Sequence, residues 1–408
     1  MNLILILIFT LLPFSIEKKV FGVWVTSTDI LVLVAIAFWF FLAIRRKISL
    51  KNIHFPLLIS ISLLMATYAF SIWGAVDPIL STTKVIKMCM LYIFFYLIVN
   101  SISEKKYLVG LIYAITASVT ILSVYFIIDT LRLSSYLMMD MLVRTRMWER
   151  HLFSALHLNL VGTILAVSIP LCLFGLFDKK TFWGKLIFIC ALLIQAGALA
   201  LTYSRGNWIA LAIILLVLFV ARYRIRGAIV SAALAALPFV VMLVFFPKIN
   251  LGSRIVSIID STEGSYLSRL EHIKVGYSLV KLKPIKGVGI GNFQIAAKKY
   301  LGAGVTEIVH NLFLQCAVDA GIFCAFIMLF LIIKYLIDSI KIFKGILNDH
   351  TLKDLALLSI LGFGSLILSG QFGDIFTRYS KEYFALLLAL PYAIKRINQN
   401  NKAVAAKS

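Results

Sequence analysis

Charged side chains are scarce in this chain: Asp, Glu, Lys and Arg make up 14% of its 408 residues, where an ordinary soluble domain carries roughly 25%. That shortage excludes a water-surrounded globular domain. Strict alternation of apolar and polar residues is also missing, which argues against a closed β-barrel and leaves helices to satisfy the backbone inside lipid. The five cysteines, Cys89, Cys172, Cys190, Cys316 and Cys324, sit within or at the edges of apolar runs, so neither a disulfide framework nor a zinc pattern is indicated. No internal repeat of fixed period and no low-complexity tract is evident.

What fills the chain instead is apolar: 61% hydrophobic residues and a mean hydropathy of +0.98. Runs of roughly 20 such residues, enough to cross a hydrocarbon core about 30 Å thick, fall at 3–16, 27–44, 55–74, 85–100, 107–129, 152–177, 183–203, 207–221, 227–246, 310–335, 355–370 and 382–395. The expected fold is an all-α polytopic membrane protein of about 12 transmembrane helices. It forms a single integral membrane domain over residues 1–408, with a large loop at 247–309 between helices 9 and 10 that contains short helices. The first run has the length of a signal-peptide core but lacks a basic leader and a small-x-small site, so it is read as a retained first span.

The net charge of +22 raises the question of nucleic acid, but the basic residues cluster at span ends rather than interleaving with aromatics, so no nucleic acid partner is expected. With a cytoplasmic N-terminus, every inner loop receives one cluster: Arg45-Arg46-Lys47, Lys105-Lys106, Lys179-Lys180, Arg222 with Arg224 and Arg226, Lys334 with Lys341 and Lys344, and Lys395-Arg396. The positive-inside rule then places both termini in the cytoplasm and the 247–309 loop outside. A second outer connection, 129–151, carries Arg132, Arg144, Arg146 and Arg150 and reads as an interfacial helix with basic side chains snorkelling to lipid phosphates.

Polar residues of interest collect on that outer side. Tyr203-Ser204-Arg205 lies in a connection too short for more than a tight turn, holding a guanidinium at the membrane surface. There, snorkelling and a bidentate phosphate contact both fit. In the long loop, Tyr266, Arg269, Ile273, Tyr277 and Val280 recur at helical spacing, predicting a helix over 265–280 with one apolar stripe, ended by Pro284. Gly287, Gly289 and Gly291 follow at alternate positions. They serve equally a plain re-entrant turn and a turn whose amides face an anion, and the G-x-G-x-G spacing is not a dinucleotide fingerprint. His310 and Asn311 open the next span, where a neutral imidazole can take a proton from a hydroxyl. The outer acids Asp260, Glu263, Asp319 and Asp374 do not form a metal site by spacing.

Taken in order, the segment 202–208 (TYSRGNW), Arg269, the segment 284–293 (PIKGVGIGNF), and His310-Asn311 with Gln315 and Gly321 resemble the O-antigen ligase and O-antigen polymerase superfamily over about 120 residues. The resemblance implies a bacterial inner-membrane glycosyltransferase working on the periplasmic side without a metal or other cofactor. It implies that Arg205 and Arg269 hold the diphosphate of an undecaprenyl-diphosphate-linked glycan and that His310 activates the acceptor hydroxyl. Tyr203, Ser204, the three glycines and Asn311 support them. Asp319 stands where many relatives have a glutamate.

A ligase acting on a lipid A-core acceptor is favoured over a repeat-unit polymerase because the outer loop before His310 is single and compact. An oligosaccharyltransferase is expected to carry a soluble tail beyond the last span. A secondary transporter or flippase also explains twelve spans, but it would place its ionisable groups nearer mid-membrane.

Overall fold

The computed structural model describes residues 1–20, 23–45, 53–136, 158–178, 181–220, 264–305, 308–373, 375–376 and 380–405. The chain enters as α1 (Asn2–Leu11), turns through a short antiparallel hairpin of β1 (Glu17–Val20) and β2 (Val23–Thr26), and continues as α2 (Ser27–Ile44), α3 (Leu58–Ser71), α4 (Pro78–Ser101) and α5 (Lys105–Tyr136). Next come α6 (Leu158–Asp178), α7 (Phe182–Leu201) and α8 (Arg205–Val220). After residues 221–263, which lie outside the described residues, come α9 (Gly264–Leu282), α10 (Phe293–Leu301), α11 (Leu312–Ala320), α12 (Ile322–Gly345), α13 (His350–Ser369) and α14 (Ser380–Ala405).

Seven of these, α2, α4, α5, α6, α7, α12 and α13, are long and apolar enough to cross a membrane. The fold is thus an all-α polytopic membrane protein, with the hairpin as its exception among the described residues. Of the twelve runs read from sequence, 227–246 lies outside the described residues, as does most of the 129–151 connection, although α5 carries its helix on to Tyr136.

Helix starts follow side-chain chemistry. Thr26 accepts from the Asp29 amide while Asp29 accepts from the Thr26 amide, a capping box that sets the start of α2. Asp77, followed by Pro78 in the first turn, caps α4, Thr181 caps α7 and Asp349 caps α13.

One expectation is corrected. The run 310–335 is two helices, broken at Gly321 with φ 87° and ψ 169°. The reason is tertiary: a Cβ at that position would stand 2.0 Å from the Ile285 carbonyl oxygen, and the Ile322 amide turns away from the helix to donate to the Pro284 carbonyl at 2.9 Å. Hydropathy is continuous across the break, so periodicity alone does not reveal it.

The core centres on α6, enclosed by α5, α7 and α13, and on the inner face of α14 against α4. Phe94, Phe95, Phe174, Phe363, Phe384 and Tyr335 are buried there. Outward faces are equally apolar: Ile30 and Phe40 on α2 and Phe326 and Phe330 on α12 are exposed, as a lipid-facing surface requires.

An ion cluster ties three helices. Lys381 at the start of α14 pairs with Asp29 of α2, Lys87 of α4 reaches the same carboxylate at 3.1 Å, and Lys381 lies 3.6 Å from Glu382. The Asp29 and Lys381 side chains are 7% and 9% exposed. Removing one member strands a buried charge, so Asp29→Asn is expected to cost about 3–5 kcal/mol, read as a lower melting temperature in detergent. Lys381→Arg keeps a cation beside Asp29 and Glu382 and is expected to cost less than Asp29→Asn. An unchanged melting temperature for Asp29→Asn counts against the cluster.

Candidate active site

The α7–α8 turn is built by its own polar side chains. Thr202 Oγ1 donates to the Leu199 carbonyl and accepts from the Ser204 amide, while Tyr203 takes a left-handed backbone, φ 52°. Ser204 Oγ donates to Asn159 Oδ1 at 3.2 Å and accepts from Asn207 Nδ2 at 2.9 Å, and the same Asn207 amide donates to the Asn159 carbonyl. Gly162 leaves room for this, since a Cβ there would meet Asn207 at 2.5 Å. Trp208 Nε1 locks α8 back onto the Leu199 carbonyl at 2.9 Å. The turn therefore holds Arg205, half-buried, as the first residue of α8, and the Ser204 hydroxyl is spent on fixing it.

The loop helix forms over Gly264–Leu282, close to the expected span, but its buried stripe is another one. Ile273 and Tyr277 are 38% and 57% exposed, while His272 is 4% exposed and Leu279 fully buried. Gly276 decides the rotation: with no side chain it lets α9 press against Val309, where a Cβ would touch Cγ1 at 3.0 Å. Arg269 sits half-buried one helical turn before His272.

After α9 the glycine run threads between α11 and the α3–α4 link. Gly287, Gly289 and Gly291 have φ of 66°, 95° and 80°, values at which a side chain is strained. Their amides are used inside the protein: Gly287 donates to the Lys283 carbonyl, Val288 to Val318 at 2.8 Å, Gly289 to Asp319 at 3.0 Å and Gly291 to the Asp319 carboxylate at 3.2 Å. These bonds satisfy carbonyls that the end of α11 leaves open. Asn292 completes the clamp, accepting from the Asp77 amide at 2.7 Å and donating to Ser81 Oγ at 2.7 Å. Asp319 also accepts from Gln315 Nε2 at 2.9 Å, so this carboxylate joins helix to loop.

At the other end of α11, Asn311 caps the helix through Leu314 and donates to Gln371 Oε1 at 3.0 Å. His310 precedes it with φ 59°, 7% exposed, its ring stacked on His272 at 5.7 Å between centroids and 26° between planes. Phe293 meets the His272 ring edge-on.

A continuous path of contacts then connects the sequence-predicted residues. Gly206, beside Arg205, packs so tightly on Phe372 that a Cβ would be 2.6 Å from it. Gln371 holds Asn311, next to His310, His310 stacks on His272, and Arg269 lies one turn earlier. His272 and Gln371 escaped the sequence reading. The first stands in sequence three residues after Arg269, one turn along the same helix, where apolar periodicity selects other positions; the second depends on a contact across 60 residues. Among the described residues no group of three or more His, Cys, Asp or Glu forms a candidate metal site.

Against known families, residues 190–329 match the one described as O-antigen ligase. That match spans about a third of the chain, from within α7 to within α12, and takes in Arg205, Arg269, His272, the glycine run, His310 and Asn311, while Gln371 lies beyond it. No curated protein matches the chain significantly. Motif order and family match agree: over residues 190–329 the chain is similar to the O-antigen ligase family.

Proposed function

We propose that the protein is an O-antigen ligase, transferring a glycan from undecaprenyl diphosphate to a lipid A-core acceptor at the periplasmic face of a bacterial inner membrane. Glycosyltransferase-like action on lipid-linked glycans is the property of the family that residues 190–329 resemble; its transfer to this chain, the donor, the acceptor and the sidedness are our reading. The observation that carries it is His310: an imidazole held in a left-handed backbone, shelved on a second buried ring, and joined by packing to the helices that bear Arg205 and Arg269.

In the reaction, His310 takes the proton from an acceptor hydroxyl. The hydroxyl oxygen forms the new bond to the anomeric carbon, and the bond from that carbon to the diphosphate oxygen breaks, its electron pair leaving with the diphosphate. Arg205 and Arg269 hold the departing oxygens, whose charge a pair of preorganised guanidiniums stabilises by several kcal/mol in a water-poor site. No metal is assigned a part.

The test is reconstitution of the purified chain with a polyprenyl-diphosphate-linked glycan and either lipid A-core or a second lipid-linked glycan as acceptor. Glycosylated lipid A-core is the expected product. Arg205→Ala and Arg269→Ala are each expected to lower kcat/KM for the donor about 10- to 100-fold, the loss of one charge-assisted contact of roughly 1.5–3 kcal/mol. Elongation of the second glycan alone makes the chain a repeat-unit polymerase, which shares the donor chemistry. Flux of an intact lipid-linked glycan without transfer makes it a flippase.

A further inference from the structure

At the end of the bundle away from His310, a second feature stands apart from this chemistry. The carboxyl-terminal halves of α4, α12 and α14 and the segment entering α3 line a half-open cavity of about 720 Å³. Its distance from the first site follows from helix direction. The start of α4 touches the glycine run through Asp77 and Asn292, whereas Val99 near its end lines the cavity. The start of α12 touches Pro284, whereas Lys334 and Lys341 line the cavity from its second half, roughly 18 Å or more along at about 1.5 Å per residue.

The lining is one-sided in charge: Lys334, Lys341, Lys395, Arg396 and Lys402 face it against the single carboxylate of Asp338. That carboxylate is already engaged, by Lys334 at 2.6 Å and by the Tyr392 hydroxyl at 3.2 Å. The lining also includes the apolar side chains of Phe55, Leu57, Val99 and Ile342.

The cavity is also preformed. Asn100 accepts from the His54 amide at 2.8 Å and donates to the His54 carbonyl at 2.9 Å, pinning the segment that carries Phe55. Arg396 donates to the Asn100 carbonyl at the end of α4.

We infer that this cavity binds the headgroup of an anionic phospholipid, its phosphate on Lys341, Lys395 and Lys402 and the start of an acyl chain along Phe55 and Ile342. A soluble phosphate accounts for the cations but not for the apolar wall, and an ordinary zwitterionic lipid accounts for the wall but not for a surplus of four positive charges in the lining. The inference does not depend on the proposed reaction.

It is tested on the full chain purified in detergent, by thermal unfolding with added phosphatidylglycerol, cardiolipin, phosphatidylcholine or inorganic diphosphate. The anionic lipids are expected to raise the midpoint by at least about 3 °C and phosphatidylcholine to leave it unmoved. The triple variant Lys341→Ala/Lys395→Ala/Lys402→Ala is expected to lose the shift, and a triple Lys→Arg variant to keep it. All three lysines are exposed, so the variants are expected to fold. As a control, Lys298→Ala/Lys299→Ala, on α10 away from the cavity, is expected to respond like the parent. Equal shifts with phosphatidylcholine, a shift retained in the triple alanine variant, or the same shift with inorganic diphosphate alone overturns the inference.

Discussion

With His310 replaced by alanine, glycan transfer by the reconstituted protein is expected to fall by about 10²- to 10⁴-fold, the range that general-base assistance supplies, while donor binding is retained. The imidazole is buried yet sits directly before the first turn of α11, so its loss leaves the helix cap at Asn311 and the Gln371 contact in place.

The neighbouring ring separates positioning from chemistry. His272→Ala removes the shelf on which His310 lies and is expected to lower kcat roughly 10- to 100-fold with little change in KM, since small misplacements of a reacting group are costly. His272→Phe keeps a flat ring and is expected to restore the rate to within about threefold. Equal damage from alanine and phenylalanine would assign the lost activity to the nitrogens of His272 and not to its surface. Full activity of well-inserted His310→Ala removes the base assignment altogether.

The second large effect is expected at Gly321. Its backbone, φ 87° and ψ 169°, lies in a region essentially reserved for glycine, where another residue is strained by about 1–3 kcal/mol. The added methyl would also meet the Ile285 carbonyl at 2.0 Å, and relieving such overlap costs roughly another 1–3 kcal/mol. Gly321→Ala is therefore expected to lose about 2–6 kcal/mol of stability and most activity. Insertion is expected to persist, since the hydropathy of α12 is untouched. Gly345→Ala, where a Cβ meets nothing within 4 Å, is the matched control and is expected to be neutral. Comparable melting temperatures for the two variants count against a tertiary origin of the break.

Much of the architecture was legible because lipid imposes length and polarity together. The run 27–44 became α2 (Ser27–Ile44), its start marked by Thr26 and Asp29, and the loop helix formed where its spacing placed it. What stayed hidden was set by distant parts of the chain. The Gly321 break answers to a carbonyl at Ile285, and Asp29 meets Lys381 across 352 residues.

The buried stripe of α9 is not legible in sequence because Gly276, which carries no hydropathy signal, governs which face can approach Val309. The glycine run showed its backbone demand in sequence, but where its amides point depends on the end of α11. Order along the chain did suggest that Arg269, His310 and Asn311 belong together. Their connection to α8 through Phe372 and Gln371 rests on residues that no motif contained.

The exchange of backbone bonds between the glycine run and α11 has a dynamic consequence. The Val318 and Asp319 carbonyls and the Val288 and Gly289 amides are each other's partners, so neither segment can open without exposing the other's polar groups to a membrane boundary poor in water. The two behave as one unit of local unfolding. In the proposed reaction, a movement of the glycine run that admits the donor also carries α11 and the preceding His310 with it, which couples substrate entry to the alignment of the proposed base.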